Sequence, residues 1–568
     1  MKRILIIFGI ALACAGLGWA GYRAASAPDQ PLSKFVPAGP LLYIEAQDFS
    51  LLLSEWNSSP QKKQWIKSDN YEVFSRSRLF LRLQGAGEQF AAAAGIPADM
   101  DFFSQVAGRR SAVAIYDIGK LEFLYITYLP SAKSMQSSLY QTRAKFEPRN
   151  AGGVDFYVRR DAQSEREVAF AISGDYLLLA TRQDLMAGAL LLMSGKTDRT
   201  VESDPWWAQS TAAAGPAGDL RMVLDLQTLV PNGYFRTYWV QQNITDLSQY
   251  SVAVSDLFRS GKEYREQRVL IRKKEPPQAA SAESLAAAAD LSRLVPENAG
   301  VYVTAANPGA DSCFTLLETK ILAPHLGPAP ASQIAPQLQL TSGEQGASSD
   351  LETRIDQAPA EAPATTSPAA ALKDLLGQTP ILASLQVQST QRDSAGVFVR
   401  THSAVVFTAA SDWSEESMRS AVNEFVRPGL TAGQLGTSWQ QKPGYQQLDG
   451  LWPLTVSVHG KDLMVSDDPA LMESVLANLA RKSDRKPLEY FAGFNHKQER
   501  ENFTRFASLV DRPNVPVNSG PGSEREPQFF SGNMASLSAT LADVSAERIE
   551  IRSDGSKVRQ VVTYEWSQ

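Results

Sequence analysis

GDYLLLATRQDLM, residues 174–186, decides the fold, because GKDLMVSDDPALM at 460–472 repeats its pattern. Both stretches open on glycine, run through a short apolar segment, cross a few polar residues and close on Leu-Met, Leu185-Met186 and Leu471-Met472. Gly174-Asp175 and Gly460-Lys461-Asp462 read as hairpin turns, where glycine accepts positive φ, and the apolar run reads as a buried strand. Thr181 with Asp184 three residues on resembles a capping box, and Asp467 or Asp468 before Pro469 reads as the cap of the matching helix. The acidic pair Asp467-Asp468 is therefore a helix cap rather than a metal site, since its counterpart is Thr181-Arg182.

Further matches flank this pair in the same order. FVPAGPLLYIEA (35–46) aligns with LVPENAGVYVTA (294–305), and SQVAGRRSAVAIYD (104–117) with DLLGQTPILASLQV, where Gly108 meets Gly377. Ser134-Met135 answers Ser417-Met418, and YSVAVSDLFRSG (250–261) answers MASLSATLADVS (534–545) ahead of the strand-like REQRVLIRKK and KVRQVVTYEW. Each match is weak alone; their common order predicts two tandem homologous repeats.

Within the first repeat, SAVAIYD and EFLYITYLP read as adjacent strands, residues 131–146 as a helix, VDFYVRR, EVAFAIS and YLLLAT as three strands, and RQDLMAGALLLMSG as a second helix. Strands joined by short turns are antiparallel, so the expected class is α+β, each repeat an antiparallel sheet with helices packed on one face. The expected division is an N-terminal segment 1–27, repeat domain 28–274, linker 275–293 ending in a short helix, and repeat domain 294–568. The second repeat carries an insert, 327–370, rich in Pro, Ala, Ser, Gln and Gly, predicted to be disordered because it cannot bury enough apolar surface to offset its ordering entropy.

At 568 residues the chain exceeds a single hydrophobic core. The net charge is −6, and RKK at 272–274 and KK at 62–63 are isolated basic runs, a pattern that argues against nucleic acid as a partner. Only Cys14 and Cys313 are present, so no internal disulfide is expected in a mature domain. His325, His402, His459 and His496 lack ligand spacing.

The N-terminus, Lys2-Arg3 followed by an uncharged apolar run from Ile4 to Tyr22, is long enough nearly to span a bilayer core of about 30 Å. It reads as a retained inner-membrane anchor with the bulk of the chain outside, in the periplasm. The alternatives are a signal peptide cleaved near Ala25-Ser26-Ala27, leaving a periplasmic or secreted protein, and a lipoprotein acylated at Cys14. All three export the remainder.

Catalytic patterns are missing: there is no GxSxG elbow, Walker loop, helix-opening GxGxxG or HExxH. Cys313, with His325 nearest in sequence, reads as a buried small apolar residue, and Trp206-Trp207 as packing at a helix start, with Tyr490-Phe491 at the matching point of the second repeat. No catalytic, cofactor-binding or metal residue is assigned, and no cofactor is expected.

The apolar N-terminal segment, the VP-x-x-x-x-x-Y opening strand, the glycine ahead of a sheet strand, the glycine-strand-helix element of 174–193 and DPWWAQSTAAAGPAGDLRMVLDLQTLV (204–230) resemble a family of exported, membrane-anchored bacterial proteins of unknown function. The resemblance covers most of 35–275 and is looser across 294–566; it implies architecture and location only. The functional expectation is a non-enzymatic envelope protein that binds a partner or scaffolds an assembly outside the cytoplasmic membrane. The alternatives are a binder or carrier of an apolar ligand such as lipid, and an exported enzyme.

Overall fold

The computed structural model describes residues 31–67, 71, 75–76, 78–238, 247–261, 263–274, 280–322, 370–392, 399–430, 438–449, 453–499 and 544–566. The expected membrane segment and the expected disordered insert 327–370 lie outside them, apart from the insert's last residue. Among the described residues no helix is long and apolar enough to cross a membrane. The chain is mixed α/β, with extensive antiparallel sheet and packed helices, as an α+β protein requires.

Two compact units form: unit 1 from the described parts of Met1–Pro277, Phe506–Ser545 and Ser553–Gln568, unit 2 from those of Gln278–Arg505 and Ala546–Arg552. Unit 1 contains β1 (Leu42–Ala46), β2 (Ser111–Asp117), β3 (Glu122–Tyr128), β4 (Glu147–Ala151), β5 (Val154–Arg160), β6 (Glu167–Ser173), β7 (Tyr176–Ala180), β8 (Leu220–Asp225), β9 (Tyr250–Arg259) and β10 (Glu263–Arg272). They pair in the order β4-β5-β6-β7-β3-β2-β1-β8-β9-β10, every pair antiparallel. Its longer helices are α1 (Phe49–Ser58), α2 (Pro60–Ile66), α3 (Arg78–Ala94), α4 (Met100–Val106), α5 (Gln183–Met193) and α6 (Pro205–Ala213).

Unit 2 contains β11 (Val301–Ala306), β12 (Ile381–Arg392), β13 (Val399–Ala409), β14 (Ser438–Lys442), β15 (Tyr445–Asp449), β16 (Leu454–His459), β17 (Asp462–Ser466), β18 (Tyr490–Phe494) and the central residues of β19 (Val544–Asp554). Here the order is β14-β15-β16-β17-β13-β12-β11-β18-β19. Its helices are α7 (Ala282–Leu291), α8 (Ala310–Leu317), α9 (Ala370–Gln378), α10 (Glu415–Leu430) and α11 (Pro469–Leu476). The last strand, β20 (Lys557–Trp566), belongs to unit 1 and pairs with β10.

The expected covering of one sheet face is corrected: both faces are covered. Successive side chains of a strand point to opposite faces. In β7, Leu178 and Ala180 join a core with Leu185, Met186 and Leu190 of α5, whereas Leu177 and Leu179 join a second core with Phe90 and Ala93 of α3 and Phe102 of α4. Unit 2 behaves likewise, Val405 and Phe407 of β13 packing with Met418 of α10, and Ala404 and Val406 packing with Leu471 of α11 and Leu291 of α7. Unbroken apolar runs such as VAF in β6, buried at every position, are the sequence mark of a strand covered on both sides.

The two glycine turns form as expected, Gly174 joining β6 to β7 and Gly460 joining β16 to β17, each at φ +57°. Asp468 caps α11, its side chain accepting from the Leu471 amide at 2.9 Å with Pro469 in the first turn. Thr181 is no cap. Its hydroxyl accepts from the Phe123 amide of β3 at 2.8 Å, and α5 starts after Arg182 without a side-chain cap. The single helix expected over 131–146 is instead Ser131–Ser134, Ser138–Gln141 and a 3-10 turn at Arg143–Lys145. Ser137 interrupts it by donating to the Ser134 carbonyl at 2.6 Å, the competition that serine hydroxyls offer to helix backbone.

Candidate functional site

β1 divides its side chains between two pockets of unit 1. Ile44 and Ala46 point into an apolar cavity of about 450 Å³, and Tyr43 and Glu45 into a polar one of about 480 Å³ on the other face.

The chain between β1 and β2 supplies the roof of the apolar cavity. In α3, Leu83, Ala86, Gly87 and Phe90 line it, the i, i+3, i+4, i+7 spacing of one helix face. Phe90, Ala93 and Ala94 anchor the C-terminal half of α3 in the core, while the small residues Ala86 and Gly87 hold space open upstream. A Cβ added at Gly87 meets nothing within 4 Å. The floor is sheet, with Ala112 and Ile115 of β2, Phe123 and Tyr125 of β3 and Leu179 of β7.

Polar groups in this lining mostly face inward partners. The Tyr125 hydroxyl donates to the Val106 carbonyl at 2.9 Å, and Ser111 and Thr127 hydroxyls lie 2.6 Å apart. One charged side chain lines the cavity, Arg166. Leu121, which also lines the cavity, closes the β2–β3 turn at φ 52°, the left-handed region that non-glycine residues adopt infrequently. Protein interiors hold few voids larger than a water molecule, so a cavity of this size and lining has the features of a small-molecule site, which commonly measures about 300–1,000 Å³.

The polar pocket is lined by three sets of hydrogen-bonded side chains. Tyr43 donates to Glu45, Arg110 Nε reaches Glu45 Oε1 at 2.5 Å, and Ser33 donates to Glu202 at 2.6 Å. Arg221 grips Asp256 through two bonds of 2.7 and 2.8 Å. Burial, reinforced by the Glu45 charge, holds the Tyr43 hydroxyl well above its usual pKa, so it stays a donor and not a base. The Tyr43 ring packs edge-on against Trp207, centroids 5.0 Å apart. Glu45–Arg110 and Arg221–Asp256 are ion pairs at the sheet, and the Tyr43–Trp207 ring contact joins the sheet to α6.

The residues singled out from sequence are scattered. Cys313 is buried in α8, and burial pushes its thiol up to about 12. At pH 8 roughly one such thiol in ten thousand is ionised, and the thiolate is the reactive form. Alkylation of Cys313 in the native protein is therefore expected to be negligible over hours and complete after denaturation, as followed by peptide mass spectrometry; fast native labelling would contradict this burial.

His325 lies outside the described residues. His402 Nδ1 stands 3.8 Å from Asp467, His459 is exposed at the end of β16, and His496 packs against Phe494, with burial lowering its pKa. Among the described residues no group of three His, Cys, Asp or Glu side chains could hold a metal ion. Asp467 accepts from the Ser403 amide at 2.8 Å beside the Asp468 cap. Trp206-Trp207 opens α6 as expected, but Tyr490-Phe491 begins β18, not a helix. Sequence reasoning missed both pockets; the signal for the apolar one was the Ala86-Gly87 pair inside an otherwise amphipathic helix.

Compared with known proteins, the chain matches no family and no curated sequence. Among solved structures it is similar to TP0453: crystal form I at 14% identity over 45% of this chain and 82% of that one, TM-score 0.24, and crystal form III at 13% identity over 49% and 90%, TM-score 0.23.

Proposed function

We propose that this chain is a non-enzymatic cell-envelope protein whose unit 1 binds an apolar ligand. The observation carrying this reading is the cavity of about 450 Å³ between α3 and the sheet, lined almost entirely by apolar side chains. Attachment to the cytoplasmic membrane through residues 4–22, with the bulk of the chain on the outer side, is supported by the Lys2-Arg3 pair ahead of the uncharged run. Tandem homologous repeats are supported by strand order: β4-β5-β6-β7-β3-β2-β1-β8-β9 of unit 1 recurs as β14-β15-β16-β17-β13-β12-β11-β18-β19.

The test fills the cavity. Gly87→Leu gains helix propensity of about 1 kcal/mol and places a side chain in open space, so unit 1 is expected to become slightly more stable. Binding of N-phenylnaphthylamine, an apolar fluorophore that brightens on leaving water, is expected to fall about tenfold or more, since each buried methylene displaced is worth ~0.8 kcal/mol. Unchanged binding in the folded variant, or no binding by the parent protein, would refute the reading.

A second reading, a scaffold for an envelope partner, draws support from exposed apolar side chains. Of nine large exposed hydrophobics among the described residues, seven fall between Leu51 and Phe103 on α1 to α4. On that reading Gly87→Leu leaves cellular function intact while weakening probe binding.

A further inference from the structure

We infer that the ligand of the apolar cavity is an amphiphile with one anionic head, a long-chain carboxylate by class, whose tail occupies the cavity and whose head meets Arg166 at its rim. The inference rests on the apolar-ligand reading above and adds the head group.

Three observations converge on that rim. First, Arg166 is the single charged side chain in a lining otherwise made of aliphatic, aromatic and hydroxyl groups. Second, its hydrogen bonds go to neutral oxygens, Nη1 to the Lys120 carbonyl at 2.6 Å and Nη2 to Gln89 Oε1 at 3.3 Å. Arg82 of α3 reaches the adjacent Gly119 carbonyl, so two guanidiniums gather on the β2–β3 turn, and neither forms an ion pair among the described residues. Third, Leu121 of that turn is held in the left-handed region while lining the cavity.

Two cations side by side at an apolar mouth are unfavourable for folding alone. Desolvation and the neighbouring Arg82 charge both depress the Arg166 pKa, and Glu122, the one carboxylate that counters them, is itself engaged by Arg182 at 2.9 Å. An anionic head supplies the missing countercharge, and the planar guanidinium fork matches carboxylate geometry. A neutral head gains no such contact, and a cationic one is repelled.

The experiment measures displacement of N-phenylnaphthylamine from the full-length protein by oleate, oleyl alcohol and oleylamine, which share one tail. A hydrogen bond to a charged group is worth enough to favour oleate over the alcohol by about tenfold or more. In Arg166→Gln that preference is expected to vanish through loss of oleate affinity, with alcohol affinity unchanged and the fold intact by circular dichroism. Arg166→Lys, which keeps the charge, is expected to restore part of it.

Equal affinity for oleate and alcohol in the parent protein, or preference for the amine, overturns the head-group inference while leaving the apolar-ligand reading standing. Loss of alcohol and oleate binding together in Arg166→Gln also overturns it, because the arginine would then only brace Gln89 of α3 against the turn. Binding of none of the three removes the apolar-ligand reading and the inference with it.

Discussion

Arg110→Ala is expected to destabilise unit 1 by about 3–5 kcal/mol, the cost of leaving a buried charge without its partner. Glu45 is 9% exposed and Arg110 18%, so solvent does little to screen their contact. Removing the guanidinium leaves the carboxylate with the Tyr43 hydroxyl in a low-dielectric setting, where a lost charge partner costs far more than a surface pair contributes. Arg149→Ala supplies the contrast: its pair with Glu147 is 51% and 75% exposed, and its loss is expected to cost well under 1 kcal/mol. Adding Glu45→Gln to Arg110→Ala is expected to recover part of the loss, since a neutral amide still accepts from Tyr43 without carrying a buried charge. Urea unfolding followed by tryptophan fluorescence, to which Trp207 packed edge-on against Tyr43 contributes, reads the loss. A loss below about 1 kcal/mol would mean that the network is more hydrated than its burial implies.

The second large effect is expected at Gly108. This glycine leads into β2 as the chain crosses the end of β3, and a Cβ there would stand 2.1 Å from the Tyr128 carbonyl oxygen and 2.3 Å from Thr127 Oγ1. Neither neighbour is the tip of a flexible side chain. Tyr128 O accepts from the Arg109 amide, and Thr127 Oγ1 accepts from the Gly108 amide at 3.0 Å, so relief requires moving the ladder itself. Gly108→Ala is therefore expected to cost about 3 kcal/mol, the upper end of ordinary overpacking. Gly215→Ala, where a Cβ meets open space, is the neutral control. Similar urea midpoints for the two variants would show that the β2–β3 crossing gives way easily.

Local chemistry announced some of these features in the sequence. The Gly174 and Gly460 turns, the buried runs YLLLA and DLMVS, and the Asp468-Pro469 cap follow from residues within a few positions of one another. Other features depend on distant partners. Thr181 has the form of a capping residue, yet β3 offers its hydroxyl a better-placed amide at Phe123. β4, with the sequence EPRNA, has no apolar alternation because both of its faces are exposed over Glu147 to Asn150. In the final repeat match, 534–543 lie outside the described residues, and the strand beside β18 is Val544–Asp554. The apolar cavity was hidden for a similar reason: RLFLRLQGAGEQFAAAA signals an amphipathic helix, but empty space above its glycines exists only once α3 crosses the sheet. The Glu45–Arg110 contact joins residues 65 apart, and only the β1–β2 pairing brings them together.

β4 and β14, the outermost strands at one end of their sheets among the described residues, bear on how the molecule behaves in crowded company. An open ladder is a template on which a neighbouring chain can continue the sheet, and repetition of that step makes fibrils. β4 meets an incoming strand with exposed Glu147 and Arg149 and with Pro148, which has no amide hydrogen to offer; β14 is short and largely polar, ending on Lys442. Both ends thus resist lateral growth, so crowding alone does not join copies through these two edges.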